Sequence, residues 1–350
     1  MSQIRTLLVL CDVGPAHGIG HLMRCLALAE EFASRGFEVI FSADVESVPF
    51  AKEQLTARGF RWVAPPGPAV EAVEQAAAVG ATVVVVDSYV RPLETYTALR
   101  RARPTLAIVD GDPAGRDGDI ILDQNIGAED DEWPLPPGTV RLAGLEHALI
   151  RDEIRDARSD DRSEEHAPLR VFAFFGGTDA FGAAPVVTAA LVDTGRSFDL
   201  RVVGATSELR AELAAVEPQP GQRVSPLGPT SRLATEVTGA DIVLSAAGTS
   251  SWELLCLGAA CAFVCVVDNQ VVAYDRVVGL GAVAGVGRLD SLRVDPGPGV
   301  RVLDGLLSRP DTRARLSAAG RRLVDGRGRE RVADALARHV QQRGQAGRLI

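Results

Sequence analysis

Leu7-Leu-Val-Leu-Cys11, followed after a short polar loop by Gly18-Ile-Gly-His-Leu-Met-Arg24 and Ala27-Leu-Ala-Glu-Glu-Phe32, reads as strand, turn and helix. Gly18 and Gly20 let the backbone turn sharply and approach a ligand, while the helix start directs unpaired N–H groups into the same space. His21 stands at that turn as a candidate general base beside a possible anion position. Met23 occupies the place of the third glycine in a dinucleotide fingerprint, and no Gly-Lys-Ser/Thr follows to make a phosphate loop. Lys52 is the one lysine of the chain and lies in an ordinary charged helical pattern, so Schiff-base and Walker-type chemistry are excluded.

The 350 residues suffice for two domains of ordinary size. A hydrophobic fraction of 46% and a charged fraction of 24% are those of a soluble globular protein. The net charge of −9, with no lysine-rich tract, argues against a nucleic-acid partner. With no leader-like segment before Ile4 and no apolar run long enough to span a bilayer, a cytoplasmic protein without a membrane span is expected. Cys11, Cys25, Cys256, Cys261 and Cys265 sit mostly in apolar contexts and show no metal-ligand pairing, so no metal site is expected from them.

The same rhythm occurs twice along the chain. Apolar or β-branched runs at 5–11, 37–42, 60–64, 82–87, 105–110 and 119–123 alternate with helical patterns at 20–35, 47–58, 69–79 and 91–102, which predicts βα units on a parallel sheet. The charged stretch 153–168, ending in Pro168, reads as a solvated linker. The alternation then restarts at 169–175 and continues with strands at 198–203, 241–245 and 261–267 before a largely helical end. The expected architecture is α/β: a first Rossmann-like, doubly wound domain over 1–152 and a second over 169–350 that includes the last helices. Two such domains face each other across a cleft, where a ligand held by both is expected.

The second domain repeats the strand, small-residue turn and helix start in Asp241-Ile-Val-Leu-Ser-Ala-Ala-Gly-Thr-Ser-Ser-Trp-Glu253. Its small residues leave room for a phosphate to reach backbone N–H groups and hydroxyls. Glu253, within the first helical turn, either complements the helix dipole or accepts hydrogen bonds from ribose hydroxyls. Val267-Asp-Asn-Gln270 is a polar cluster at a strand end, which by itself suits a turn or helix cap as well as a site.

Taken in order, these pieces resemble the nucleotide-sugar hydrolases of the pseudaminic acid pathway and the related spore-coat polysaccharide proteins. The matching stretches are Gly18-x-Gly-His-x-x-Arg24, Val86-Asp-Ser-Tyr89, Asp123-Gln-Asn125, Gly144-Leu-Glu-His-Ala-Leu-Ile-Arg151, Gly176-Gly-Thr-Asp179, Ser245-Ala-Ala-Gly-Thr-Ser-Ser-Trp-Glu253, Asp268-Asn-Gln270 and Asp325-Gly-Arg-Gly328. The resemblance implies the GT-B fold of MurG-type glycosyltransferases. It also implies metal-independent, inverting removal of UDP from an acetamido-deoxy sugar by water, without a cofactor. It places His21, Tyr89 and Asn269 in the catalytic set. Gly18, Gly20, Arg24, Gly177, Gly248, Thr249, Ser250, Glu253 and Gln270 fall in the substrate-binding set. The implied partner is a small-molecule nucleotide sugar.

The residue types suit those roles. An imidazole with an ordinary pKa of about 6.5 can take a proton from water at neutral pH. N–H donors of the second turn can stabilise the departing diphosphate. Arg24, one turn beyond His21, has a second reading in which it supports the loop or pairs with an acid. Asp12 either orients the imidazole or bonds the turn. His17 reads as a loop residue near His21, and His147, His166 and His339 as structural or solvated. Pro15-Ala-His17, Ala247 and Ala260 depart from the family pattern. They leave open a related sugar nucleotide or an acceptor other than water, the latter being the reaction of a GT-B glycosyltransferase. A non-catalytic nucleotide-sugar binding protein is the third reading.

Overall fold

The computed structural model describes residues 5–14, 19–159, 165–177 and 179–346. The chain divides into two compact units, 1–152 with 326–350, and 153–325. The first unit contains β1 (Arg5–Cys11), α1 (Gly20–Ser34), β2 (Phe37–Ser42), α2 (Pro49–Ala57), β3 (Arg61–Val63), α3 (Ala69–Ala78), β4 (Ala81–Asp87), α4 (Leu93–Ala102), β5 (Thr105–Ile108), β6 (Ile120–Asp123) and β7 (Val140–Ala143). After α5 (Asp152–Ala157) come β8 (Leu169–Phe174), α6 (Ala183–Val192), β9 (Phe198–Val203), α7 (Ser207–Ala214), β10 (Gln222–Leu227), α8 (Leu233–Thr238), β11 (Ile242–Ala246), α9 (Ser251–Leu257) and β12 (Cys261–Cys265). The remainder is α10 (Val271–Gly279), β13 (Ala284–Arg288), α11 (Leu289–Val294), α12 (Gly297–Ser308), α13 (Pro310–Leu323) and α14 (Gly328–Ala346).

All pairings in both sheets are parallel, in the orders β3-β2-β1-β4-β5-β6-β7 and β10-β9-β8-β11-β12-β13. In each, the chain leaves the central strand in one direction and returns on its other side, so loops diverge between β1 and β4 and between β8 and β11. Such switch points are where open parallel sheets bind ligands, at the carboxyl ends of the strands. The apolar runs follow from burial on both faces. Leu7 and Val9 pack with Leu22, Cys25 and Leu26 of α1, whereas Leu8 and Leu10 pack with Ala72, Ala76, Tyr96 and Leu99 on the other face.

Two boundaries differ from the sequence expectation. The stretch 153–168 is not a solvated linker in its described parts. Ile154 is fully buried, and Arg158 donates to the carbonyls of Cys256 (2.9 Å), Val324 (2.6 Å) and Arg321 (3.0 Å). Arg313 Nε donates to Glu165 at 2.8 Å. Charge in this stretch serves intramolecular pairing, which composition cannot distinguish from solvation.

The second unit also stops short of residue 350, because α14 belongs to the first. Val332, Ala333 and Leu336 join the core of β1 and α1, and Arg329 lies between Glu30 (3.1 Å) and Glu31 (3.3 Å) and also pairs with Asp152. Gly328 makes the approach possible: a Cβ there would stand 2.3 Å from the Ala148 carbonyl oxygen and 2.4 Å from the His147 carbonyl carbon. The motif stretches Gly144–Arg151 and Asp325–Gly328 therefore meet. Backbone cannot yield as a side chain can, so Gly328→Ala should destabilise the first unit by about 2 kcal/mol or more. Urea unfolding checks this, and a variant as stable as the parent would contradict the packing.

Candidate active site

The carboxyl ends of β1, β4, β5 and β6 lie side by side, and each apolar run ends on or just before an aspartate: Asp12, Asp87, Asp110 and Asp123. Four carboxylates at one sheet edge repel unless each finds donors. Asp12 Oδ2 accepts the Tyr89 amide at 2.8 Å. Asp123 accepts the amides of Gly111 (2.7 Å) and Asn125 (2.9 Å) and the Asn125 side-chain amide (2.8 Å). Burial nevertheless pushes Asp123 above the ordinary carboxylate range.

Asp87 and Asp110 depend on α1. One helical turn separates His21 from Arg24, so both side chains face the same strand ends. Arg24 grips Asp87 through Nε to Oδ2 and a terminal nitrogen to Oδ1, both at 2.6 Å, and holds Asp110 with its other terminal nitrogen at 2.7 and 3.0 Å. Burial opposes the charge on all three groups. It is outweighed: the Arg24 cation holds Asp87 and Asp110 below the usual carboxylate range, and the two anions hold Arg24 well above its own ordinary value.

His21 Nδ1 lies 2.7 Å from Asp87 Oδ1. A carboxylate only accepts, so Nδ1 carries a proton, and in the neutral imidazole the lone pair lies on Nε2. The Arg24 nitrogen 3.2 Å from Nδ1 is a second donor converging on the same oxygen, not a bond to the ring. Cys25 Sγ, at 3.5 Å from Asp87 Oδ2, completes the surroundings of that carboxylate, which is wholly buried. The arrangement is an oriented imidazole base backed by a fixed anion.

Tyr89 stands edge-on to His21, ring centroids 4.6 Å apart, and its hydroxyl donates to Asp110. Desolvation and the Asp110 carboxylate raise its pKa, so the phenol remains protonated. Asn125 Nδ2 donates to Asp110 at 2.7 Å. Although its hydroxyl is held, Tyr89 is 54% exposed and presents its ring at the site's surface.

In the second unit, the turn after β8 carries Gly176 and Gly177, both exposed. The α6 amides beyond that turn are already occupied: Asp179, at φ +45°, accepts from Ala183 and Ala184 at 2.9 Å each. The turn between β11 and α9 is more open. Among the described residues, the amides of Gly248, Thr249 and Ser250 have no protein acceptor. Nothing lies within 3.4 Å of a Cβ built on Gly248, and the nearest atom is Gln270 Nε2 at 3.7 Å. Gln270 is fixed by its Oε1, which accepts the Val266 amide at 3.0 Å. Glu253 is buried in the first turn of α9, and Asn269 is exposed on the 3-10 turn Asp268–Gln270.

The structure thus brings His21, Tyr89 and Arg24 together in the first unit, and Gly248 and Gln270 together in the second. Gly20 opens α1, while Gly18 and His17 lie outside the described residues. Arg24, expected among the substrate-binding residues, commits its guanidinium to Asp87 and Asp110 and is 5% exposed. Asp12 bonds the Tyr89 amide, and the orienting carboxylate is Asp87. Sequence reading missed Asp87, Asp110 and Asn125 as site residues. The signal was the repeated apolar run closing on aspartate, visible only when strand order makes those ends adjacent. Of the other histidines, His147 lies near the Ala143 carbonyl, His166 near Asp241 and His339 near Asp119. Among the described residues no group of three or more metal-binding side chains is assembled, and no helix is long and apolar enough to cross a membrane.

No protein-family model and no curated protein sequence matches the chain. Its fold, however, is the GT-B fold, two Rossmann-like parallel sheets with interleaved helices. Acinetobacter baumannii MurG is similar over 95% of this chain and 99% of its own, with TM-score 0.67 and 15% identity. The glycotransferase of kitacinnamycin matches over 97% of this chain and all of its own (TM-score 0.66, 17% identity). The S. aureus MnaA structure with UDP matches over 97% of both chains (TM-score 0.65, 10% identity).

The site makes a stability prediction. Carboxylates held below their ordinary value of about 3.9 contribute stability that is complete above that pH and lost as pH falls through the lowered value. Asp110→Asn should therefore be less stable than the parent at neutral pH, with the gap narrowing below about pH 4. Denaturant unfolding across that range checks it, and a constant gap would contradict the assigned ion pair. Asp87→Asn, which leaves the Arg24 cation buried with one partner, should cost about 3 to 5 kcal/mol.

Proposed function

We propose that the protein cleaves the anomeric C–O bond of a nucleotide sugar by base-assisted, inverting attack. The observation that carries the reading is the 2.7 Å contact between His21 Nδ1 and Asp87, which leaves Nε2 as a proton acceptor. In the reaction the nucleophile's O–H proton passes to Nε2 and its oxygen bonds to the anomeric carbon. The C–O bond to the diphosphate breaks, its electron pair leaving with the nucleotide. The imidazolium formed is stabilised by Asp87, already ionised at neutral pH because Arg24 holds it so. Tyr89, whose ring stands against His21, positions the sugar, and Asn269 is assigned to the catalytic set by the ordered motifs alone.

The open amides at Gly248, Thr249 and Ser250 suit a diphosphate, with Glu253 on the ribose and Gly177 and Gln270 on the adjoining groups. The mechanism asks for no metal.

With water as nucleophile the protein is a nucleotide-sugar hydrolase, releasing UDP from an acetamido-deoxy sugar; this finer reading rests on the ordered motifs. With an organic hydroxyl it is a glycosyltransferase, a reading favoured by the glycosyltransferases among its structural neighbours. Incubation with UDP-, TDP- and GDP-sugars in the presence of chelator separates the two. Release without acceptor supports the hydrolase, and release only with one supports the transferase. His21→Ala should lower turnover at least about 100-fold with nucleotide binding retained. Unchanged turnover would remove His21 from the reaction.

A further inference from the structure

At the amino ends of β5 and β6, the edge of the first sheet opposite to His21, a cavity of about 430 Å³ lies between the last turn of α4, the residues before β6 and the last turns of α14. Its volume is that of a small-ligand pocket, yet no apolar side chain lines it. An aromatic ring or a lipid chain would find no surface to cover, so the walls call for a ligand that is polar throughout.

The charges set its sign. Arg100, Arg101 and Arg343 face Asp117 and Asp119, so three guanidiniums meet two carboxylates. Asp119 is spent: it accepts the Thr105 amide at 2.9 Å and Arg343 at 3.0 Å, with Arg100 Nε 3.4 Å away. Arg343 also donates to the Arg100 carbonyl at 2.8 Å, which joins α14 to the end of α4. Arg100 pairs with Asp117 Oδ1 through one terminal nitrogen, and its other reaches only the Pro137 carbonyl, at 3.4 Å. Arg101 is exposed, and among the described residues its guanidinium has no partner. His339 Nε2 is buried and makes no hydrogen bond, although it stands 3.2 Å from Asp119.

The unspent groups are therefore the Arg101 fork, the outer nitrogen of Arg100, Asp117 Oδ2 and the Thr97 hydroxyl. Open guanidinium edges match phosphoryl oxygens, which accept several donors at once. A carboxylate oxygen and a hydroxyl beside them match the hydroxyls of a polyol.

We infer that this cavity binds a sugar phosphate, its phosphoryl group on Arg101 and Arg100 and its hydroxyls on Asp117 and Thr97, and that the ligand strengthens the docking of α14 against α4. The site lies at the other end of the sheet from the reaction proposed above and does not depend on it.

The test is calorimetric titration of the whole protein with glucose 1-phosphate, glucose and inorganic phosphate, followed by hydrogen exchange of the saturated protein. The parent should bind glucose 1-phosphate at least tenfold more tightly than either fragment, and exchange in α4 and α14 should slow. Because Arg101 is exposed, Arg101→Gln should unfold with the parent's thermal curve, yet bind glucose 1-phosphate at least tenfold more weakly and lose the added protection; Arg101→Lys should keep part of both. No binding by the parent, undiminished binding in Arg101→Gln, or protection confined to the second unit would overturn the site. Inorganic phosphate binding as tightly as glucose 1-phosphate would overturn the sugar contacts.

Discussion

Asp87, Asp110 and the imidazole that Asp87 holds depend on one buried cation. Arg24 neutralises Asp87 and Asp110 together, and without it the fully buried Asp87 and the partly exposed Asp110 on adjacent strands would repel each other and be driven toward protonation. A protonated Asp87 could no longer act as a fixed anion for the imidazole. The residue that sets the state of the base therefore lies behind the site, one helical turn along α1, and acts on the imidazole through Asp87.

This dependence explains why turn, helix and strand ends occur together. Gly20 begins α1 close to β1, the i, i+3 spacing aims His21 and Arg24 at the same strand end, and β4 is brought beside β1 by the crossover. Asp110 and Asn125 extend the network one and two strands further. Tyr89 joins it from the β4 loop by its hydroxyl, and to Asp12 by its amide. The second unit shows a different economy. The start of α6 is capped internally by Asp179, whereas among the described residues the amides of the turn at Gly248 have no protein acceptor.

Much of the fold was legible in the sequence because its central strands are buried on both faces. The β1 run was read over 5–11 and the β4 run over 82–87, each within a residue of the observed strand. The strands that escaped, β7, β10 and β13, all lie at sheet edges, where one side lacks a neighbour and the apolar run is diluted. β10 even contains Pro226, which an edge tolerates. Within the site, His21 was legible because a glycine-flanked histidine before a helix is locally unusual. Asp87, Asp110 and Arg24 form one unit only after three distant segments meet, and local spacing carries no record of that. The place of α14 was hidden for the same reason, since Gly328 shows its meaning only against the backbone of His147 and Ala148.

The central claim is that Asp87 fixes His21 with its proton on Nδ1 and its lone pair on Nε2. Long-range proton–nitrogen correlation spectra of protein with labelled histidine, recorded at mildly alkaline pH, report the tautomer directly. The account predicts a protonated Nδ1 and an unprotonated Nε2 for His21 in the parent, with this preference lost in Asp87→Ala. A His21 protonated on Nε2 in the folded parent would contradict it.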